Sequence, residues 1–475
     1  MSVTTPIVDF VCDYAQSGTA RLHMPGHKGR ALLGFEPWDI TEICGADELY
    51  EPEGIIAESE ANATGLFGTA HTYYSTEGSS QCIRAMLCLA MRAAPAGQRP
   101  FLLAARNAHK ALLYAAALLD LDIRWLWAKP EELGALCSCP IGAQELASAL
   151  HALAQQGKKP CGVYVTSPDY LGGVQDIRAL AQVCESFDVP LLVDNAHGAY
   201  LHFLPEGSRH PIQLGAAMCC DSGHKTLPVV TGGAYLHLGQ NAPIRDEAAV
   251  RGALALFGST SPSYLILQSL DRCNQELAGE YPGRIAECCK ALETLRSTLN
   301  AAALERGCPV PLARETGRFE PLKLTLDAAA LGHSGTELAQ LLRAGGMECE
   351  YADPRYVVLM FTPENPPQDL ERLRALLLEQ LSGCPAGIPV PEETAAPFVQ
   401  LEQELQSVCT IRQAVFAPQE RIPVEQALGR VCAMPTVSCP PAIPIVVSGE
   451  RITPAAVELM RRYRIDTIAV IKPVE

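Results

Sequence analysis

Residues 216–238 read AAMCCDSGHKTLPVVTGGAYLHL. Two apolar stretches, AAMCCD (216–221) and GGAYLHL (232–238), have the look of buried strands. Between them stands a polar knot of Asp221, Ser222, His224 and Lys225. Lysine is almost never buried without a partner or a task. A lysine in such a run marks the end of a core strand that carries chemistry.

Working outward, the same alternation extends from about residue 61 to about 240. FLLAA (101–105), IRWLW (123–127), CGVYVTS (161–167) and VPLLVD (189–194) read as further strands. Helical stretches separate them: SQCIRAMLCLAMRAA, HKALLYAAALL, AQELASALHALAQQ and DIRALAQVCESF. Near-continuous apolar strands alternating with amphipathic helices predict an α/β domain with a mostly parallel sheet covered on both faces. Residues 1–60, rich in Gly, Pro and charge, read as an irregular N-terminal arm, and 61–262 as the large domain. Residues 263–305 read as one long helix opening a smaller α+β domain that runs to 384, with strands PLKLTLD and YVVLMFT. SGCPAGIPVPEETAAP (382–397) has linker composition, and 398–475 forms a C-terminal domain with a helix at 398–414 and a last strand DTIAVI.

The chain has 475 residues, 48% hydrophobic and 19% charged, the balance of a globular protein with a large core. Its formal net charge of −16 argues against a nucleic-acid partner. No run approaches the about 18 apolar residues of a membrane span. The N-terminus shows no basic segment followed by an apolar one, so a cytoplasmic protein is expected. Its 19 cysteines show no CxxC pair, which predicts reduced core thiols and no metal site.

In open parallel sheets, ligands bind beyond the carboxyl ends of the strands. Four strand ends here carry polar, titratable residues. VPLLVD is followed by Asn195, Ala196, His197 and Gly198, and GVYVT by SPDYLG. AAMCCD is followed by SGHK, and FLLAA by Arg106, Asn107, Ala108, His109 and Lys110. Four together point to an active site. Upstream, Gly78, Ser79 and Ser80 open a helix whose free N–H groups and dipole suit phosphate. A phosphate cup, an aspartate ending one strand and a lysine 225 − 194 = 31 residues further on meet the demands of pyridoxal phosphate.

The motifs resemble those of the Orn/Lys/Arg decarboxylases, pyridoxal-phosphate enzymes of the aspartate-aminotransferase type (fold type I). The similarity is carried by HMPGHKG (23–29), DITEICGADELYEPEGII (39–56), EGSS (77–80), RNAHK (106–110), SPDYLGG (167–173), VDNAHGAY (193–200), SGHKTLP (222–228), GSTSPSY (258–264) and CPPAIPIVVSGE (439–450). The length matches the family's shorter form.

The resemblance implies roles at matching positions. Lys225 carries the cofactor covalently and Asp194 pairs with the pyridine nitrogen. His109 stacks on the ring. Gly78, Ser79, Ser80 and Ser222 hold the phosphate, with Ala196 and His197 against the cofactor. His224 acts near the phosphate or as a proton donor, and His224 or Lys225 returns a proton to the substrate. Thr260, in GSTSPSY, reaches a neighbouring subunit's cofactor, which implies a homodimer or larger homo-oligomer with shared sites. Asp47, Glu48 and Glu450 are candidates for the substrate's distal cation. The implied reaction decarboxylates arginine or lysine, or ornithine, to CO2 and a di- or polyamine.

Some positions depart from the pattern. Glu77 replaces an Asn of the phosphate loop and is expected to turn away from the anion or be neutralised. Ala442 and Ser448 replace a Gly and a Pro of the tail motif, and Cys439 stands where an aromatic is frequent. Two alternatives compete. An aminotransferase or lyase on the same scaffold needs an arginine clamp that no motif names. A non-catalytic regulatory paralogue sits poorly with intact Lys225, Asp194 and His109.

Overall fold

Apolar runs of four or five residues bounded by polar turns are long enough for buried strands and too short for helices. In the computed structural model, which describes residues 3–130, 135–312, 318–385, 396–434 and 444–473, they form one seven-stranded sheet. Its strands are β1 (His71–Ser75), β2 (Phe101–Ala105), β3 (Asp122–Leu126), β4 (Gly162–Thr166), β5 (Leu191–Asp194), β6 (Met218–Asp221) and β7 (Ala234–Leu238), in the order β1-β7-β6-β5-β4-β2-β3. β4, β5 and β6 run parallel, and β7 is antiparallel to both β6 and β1. The accompanying helices are α1 (Pro6–Gln16), α2 (Ile55–Phe67), α3 (Gly78–Arg92), α4 (Lys110–Leu119), α5 (Ala143–Gln155), α6 (Ile177–Ser186), the single turn α7 (Gly223–Thr226), α8 (Glu247–Ala255), α9 (Tyr264–Ala278) and α10 (Tyr281–Glu305).

The rest of the chain forms smaller pieces. β8 (Lys323–Asp327), β9 (Tyr351–Ala352) and β10 (Tyr356–Met360) make an antiparallel sheet with β10 central, accompanied by α11 (Gly335–Ala344) and α12 (Pro367–Gly383). The C-terminal segment holds α13 (Ala396–Glu404), α14 (Ile411–Phe416), α15 (Pro454–Arg462) and the antiparallel pair β11 (Gln419–Pro423) and β12 (Thr467–Ile471). The chain divides into two units, each discontinuous in sequence: Met1–Leu102 with Ala143–Ser167 and Asp176–Ile285, and Leu103–Gly142 with Pro168–Gln175 and Ala286–Glu475. No helix among the described residues is long and apolar enough to cross a membrane. All described cysteines are free.

Four local expectations are corrected. The arm at 1–60 is not wholly irregular, because Pro6 opens α1 and its Ile7 and Val11, one turn apart, are fully buried. Asp271, buried in α9, accepts the Ile7 and Val8 amides at 2.9 and 3.0 Å, so a carboxylate 264 residues away caps this helix. β1 was not expected. HTYYS carries too many polar groups to read as a core strand, and its pairing with β7 specifies it. The stretch 263–305 is two helices broken at Gly279–Glu280, and 398–414 is two helices, the second restarted by a capping box of Thr410 and Gln413.

Candidate functional site

The first unit gathers the strand-end residues. β5 and β6 pair in parallel with Asp194 opposite Cys220, so the two chain segments leave the sheet side by side. Asp194 is 3% exposed. Its Oδ2 accepts the Tyr164 hydroxyl at 3.0 Å, and its Oδ1 accepts the Ala196 amide at 3.2 Å. The Cys220 thiol lies 3.7 Å from the same Oδ1. Among the described residues Asp194 has hydrogen bonds and no ion pair. A carboxylate buried in this way expects a cation.

The loop after Asp194 delivers His197 to the lysine: His197 Nε2 lies 3.1 Å from Lys225 Nζ. Gly198 permits that loop, since a Cβ there would stand 2.1 Å from Asn195 Oδ1. After β6, Ser222 precedes α7, which carries His224 and Lys225. The Ser222 side chain is fully buried, and its hydroxyl has no hydrogen-bond partner among the described residues. His224 donates Nδ1–H to the Gly233 carbonyl at 3.1 Å, which fixes its tautomer. Burial, reinforced by the charge of Lys225, holds this imidazole below its ordinary pKa against that hydrogen bond. The shift favours the neutral ring, whose one proton on Nδ1 is engaged with Gly233.

Across from it, Gly78 starts α3 with φ +69, a conformation open to glycine, and a Cβ there would lie 4.0 Å from His224 Cε1. Ser79 and Ser80 follow in the first turn, where amides lack intrahelical partners. Glu77 caps that turn without a side-chain hydrogen bond and is exposed, turned to solvent as expected.

The residues fit pyridoxal phosphate. The unpartnered Ser222 hydroxyl and the start of α3 suit its phosphate. Asp194 lacks the cation that a protonated pyridine nitrogen provides, and Lys225 supplies the amine.

The other expected residues have surroundings of their own. His109, in the second unit, caps α4, its Nδ1 accepting the Ala111 amide at 3.2 Å. Thr260 is exposed in the loop before α9. Asp47 is turned to structure, its carboxylate accepting the backbone amides of Glu53, Gly54, Ile56 and Ala57 at 2.9, 2.8, 3.0 and 3.5 Å. Replacing Asp47 with alanine should cost about 1–2 kcal/mol in urea unfolding, the scale of a lost helix cap, and leave KM unchanged. A raised KM at unchanged stability would return Asp47 to substrate binding. Glu48 is exposed. Glu450 is 2% exposed and grips Arg106 with both oxygens at 2.8 Å. Cys439 and Ala442 lie outside the described residues. Ser448 is buried, its hydroxyl unpartnered among the described residues.

Sequence reasoning missed the polar layer behind the site. Asp221 Oδ1 accepts the Asn195 side-chain amide at 2.7 Å, and its Oδ2 accepts His210 Nε2 and His237 Nε2 at 3.0 and 3.2 Å. Asp221 was noticed as part of the knot, but nothing in the chain order marks the two histidines as its partners.

A parallel sheet whose strand ends bring together a lysine, a cation-seeking aspartate and a phosphate cup defines the α/β fold of the type I pyridoxal-phosphate enzymes. The chain belongs to the Orn/Lys/Arg decarboxylase family: the model of its major domain matches residues 5–313 and that of its C-terminal domain 393–465. It is 29% identical to an arginine decarboxylase of Bacillus subtilis over 94% of this chain and 91% of that one. It is 27% identical to an arginine decarboxylase of Bacillus anthracis over 96% and 92%. The solved constitutive lysine decarboxylase of Escherichia coli superposes with a TM-score of 0.77 at 19% identity, covering 99% of this chain and 82% of that one.

Proposed function

We propose that the protein is a pyridoxal-phosphate-dependent decarboxylase of a basic amino acid, releasing CO2 and the corresponding amine. Arginine is the first substrate to test and lysine the second, with ornithine within the same class. Relatives aligned over more than nine-tenths of both chains carry the name arginine decarboxylase. The observation that carries the reading is Asp194, a buried carboxylate without a cation, on the strand beside the one that leads to Lys225.

When bound, pyridoxal phosphate supplies the sink for the electron pair left by the departing carboxylate. The chain's own residues do the rest. Lys225 Nζ would be the amine that holds the cofactor. His197 Nε2, 3.1 Å away, orients that Nζ. Asp194 keeps the pyridine nitrogen protonated, while Tyr164 and the Ala196 amide fix its carboxylate. Ser222, Ser79 and Ser80, with Gly78 leaving room, receive the phosphate. His224 spends its one ring proton on Gly233, so the proton returned to the substrate carbon is assigned to Lys225 Nζ. Of the three acids considered for the distal cation, Glu48 keeps an exposed carboxylate and takes that role in this reading.

The protein works as a homo-oligomer in the cytoplasm. Support for association comes from Leu22, Met24, Leu32, Leu33, Phe35 and Trp38, large apolar residues exposed within one stretch of the arm. The free cysteines suit a reducing compartment.

Purified protein given pyridoxal phosphate and a panel of amino acids should release CO2 from a basic one and form the matching amine. Keto-acid formation, or no CO2 from any basic amino acid, would overturn the reading. Asp194→Asn, which removes the charge and keeps the shape, should lower kcat on the order of 10²–10³-fold, the scale of losing one preorganised electrostatic partner. A variant of wild-type rate would remove Asp194 from the site.

A further inference from the structure

We infer that Asp221 is a positioning residue, which holds the 194–198 loop, and with it Asp194 and His197, in the geometry that receives the cofactor. The inference rests on the proposed function and adds a residue that touches neither cofactor nor substrate in it.

The geometry is specific. Cys219 and Asp221 are two residues apart on β6 and project to one sheet face, the face that His237 of β7, paired with Cys219, also occupies. Asp194 and Cys220 meet through their side chains. Asp221 is thus removed from the cofactor side chains while standing one residue before Ser222 and four before Lys225. It is fully buried, and no lysine or arginine pairs with it among the described residues.

Its charge is held by N–H donors alone. His210 and His237 donate to Oδ2 and the Asn195 amide to Oδ1. Burial by itself would raise the carboxyl pKa, and the two imidazoles outweigh it and keep Asp221 ionised. His237 is in turn fixed through Nδ1, 2.9 Å from the Thr72 hydroxyl on β1. The carboxylate on β6 is therefore tied to β7 and, through His237, to β1, and to two loops through Asn195 and His210.

Asn195 transmits this to the site. Its side chain is tied to Asp221, its backbone N–H donates to the Cys220 carbonyl at 3.0 Å, and its carbonyl accepts the Gly198 N–H at 2.7 Å. The Asn195 end of the turn is fixed on β6, the Gly198 N–H closes the turn onto Asn195, and His197 inside it faces Lys225 Nζ. A loop carrying cofactor groups gains precision when such a network removes its alternatives.

The same side chains invite a metal reading, since His210 Nε2, Cys219 Sγ and Asp221 Oδ2 lie within 4.8 Å of one another. The hydrogen bonds argue otherwise. Both imidazoles use Nε2–H on Asp221 Oδ2, and burial pushes the Cys219 thiol well up, away from the thiolate a metal needs.

The test uses Asn195→Ala, which cuts the link and spares the aspartate–imidazole pairs, together with Asp221→Asn and the double variant. Apo-proteins are titrated with pyridoxal phosphate by visible absorption, and thermal melting, kcat and KM are recorded. Each single variant should bind the cofactor about 10-fold more weakly, the scale of one charged buried hydrogen bond, with kcat reduced and KM within about twofold. The double variant should be no weaker than the worse single one. If wild type binds pyridoxal phosphate and both variants match its affinity and absorption band, with only melting lowered, Asp221 is structural and the inference falls alone. Additive losses in the double variant also overturn it. One tightly held zinc per chain in the wild type, lost in Asp221→Asn, would replace it with a metal site. Wild type that binds no pyridoxal phosphate overturns the function and this inference together.

Discussion

Lys225→Ala should abolish decarboxylation and leave no cofactor covalently trapped by borohydride. Wild type treated the same way keeps the cofactor on the peptide containing Lys225. The expected loss is several orders of magnitude, because the lysine serves twice. In the proposed function it anchors the cofactor, and its Nζ is assigned the proton transfer that His224, bound through Nδ1 to Gly233, does not supply. Fold and phosphate binding should persist. α7 is a single turn held by backbone bonds from Leu227 to Gly223 and from His224 to Gly233, none of which uses the lysine side chain. Melting temperature should therefore change little while turnover disappears. Turnover near the wild-type level would end the assignment. The companion variant His224→Gln, which retains a donor toward Gly233, should keep most of the activity. A loss as deep as that of Lys225→Ala would move the proton donor to His224.

The second large effect is on stability and falls on Glu450. Its bidentate pair with Arg106 lies within the second unit, with both side chains under a tenth exposed. The guanidinium also donates to the Ile445 carbonyl at 2.9 Å and sits 4.7 and 5.2 Å from the Trp125 and Trp127 rings. Removing one partner leaves a buried charge uncompensated, so Glu450→Ala should cost about 3–5 kcal/mol in urea unfolding of the unit. The double variant Arg106→Met/Glu450→Leu, which removes both charges, should recover most of the loss, since apolar replacement of a buried pair is often neutral. If Glu450→Ala leaves stability intact and raises KM for the basic amino acid, the glutamate binds substrate instead. The pair links the RNAHK and SGE motifs, 344 residues apart. Both motifs are visible in the chain, but their contact is not.

Much of this site is legible in the sequence because chemistry and chain order coincide there. A residue ending a buried strand must face the sheet edge, so Asp194 and Lys225 announce themselves through the apolar runs before them. Ser222 follows the same logic, and burial without a partner is what sets it apart. Glycine at the start of α3 is legible as well, because a helix start needs no tertiary contact to expose its amides.

The acids were not legible. Asp47, Glu48 and Glu450 share a side-chain type and sit in recognisable motifs, yet one caps a turn, one is exposed and one is locked to an arginine. A carboxylate's role depends on which donors surround it, and those donors come from distant chain positions. For the same reason the cap that Asp271 places on α1 is invisible in the N-terminal arm, and HTYYS becomes a strand only beside β7.

The sequence by itself determined the layered α/β class, the strand ends that carry polar, titratable residues, and the family, because these depend on hydrophobic period, local order and motifs. Only the tertiary structure decided that Asp221 gathers Asn195, His210 and His237 into one buried network, that burial lowers the pKa of His224 while its Nδ1 proton is committed to Gly233, and that Glu450 is committed to Arg106. Each is a matter of partners brought together across the fold, and in a low-dielectric interior the partners set whether a polar group is charged, fixed or free to act.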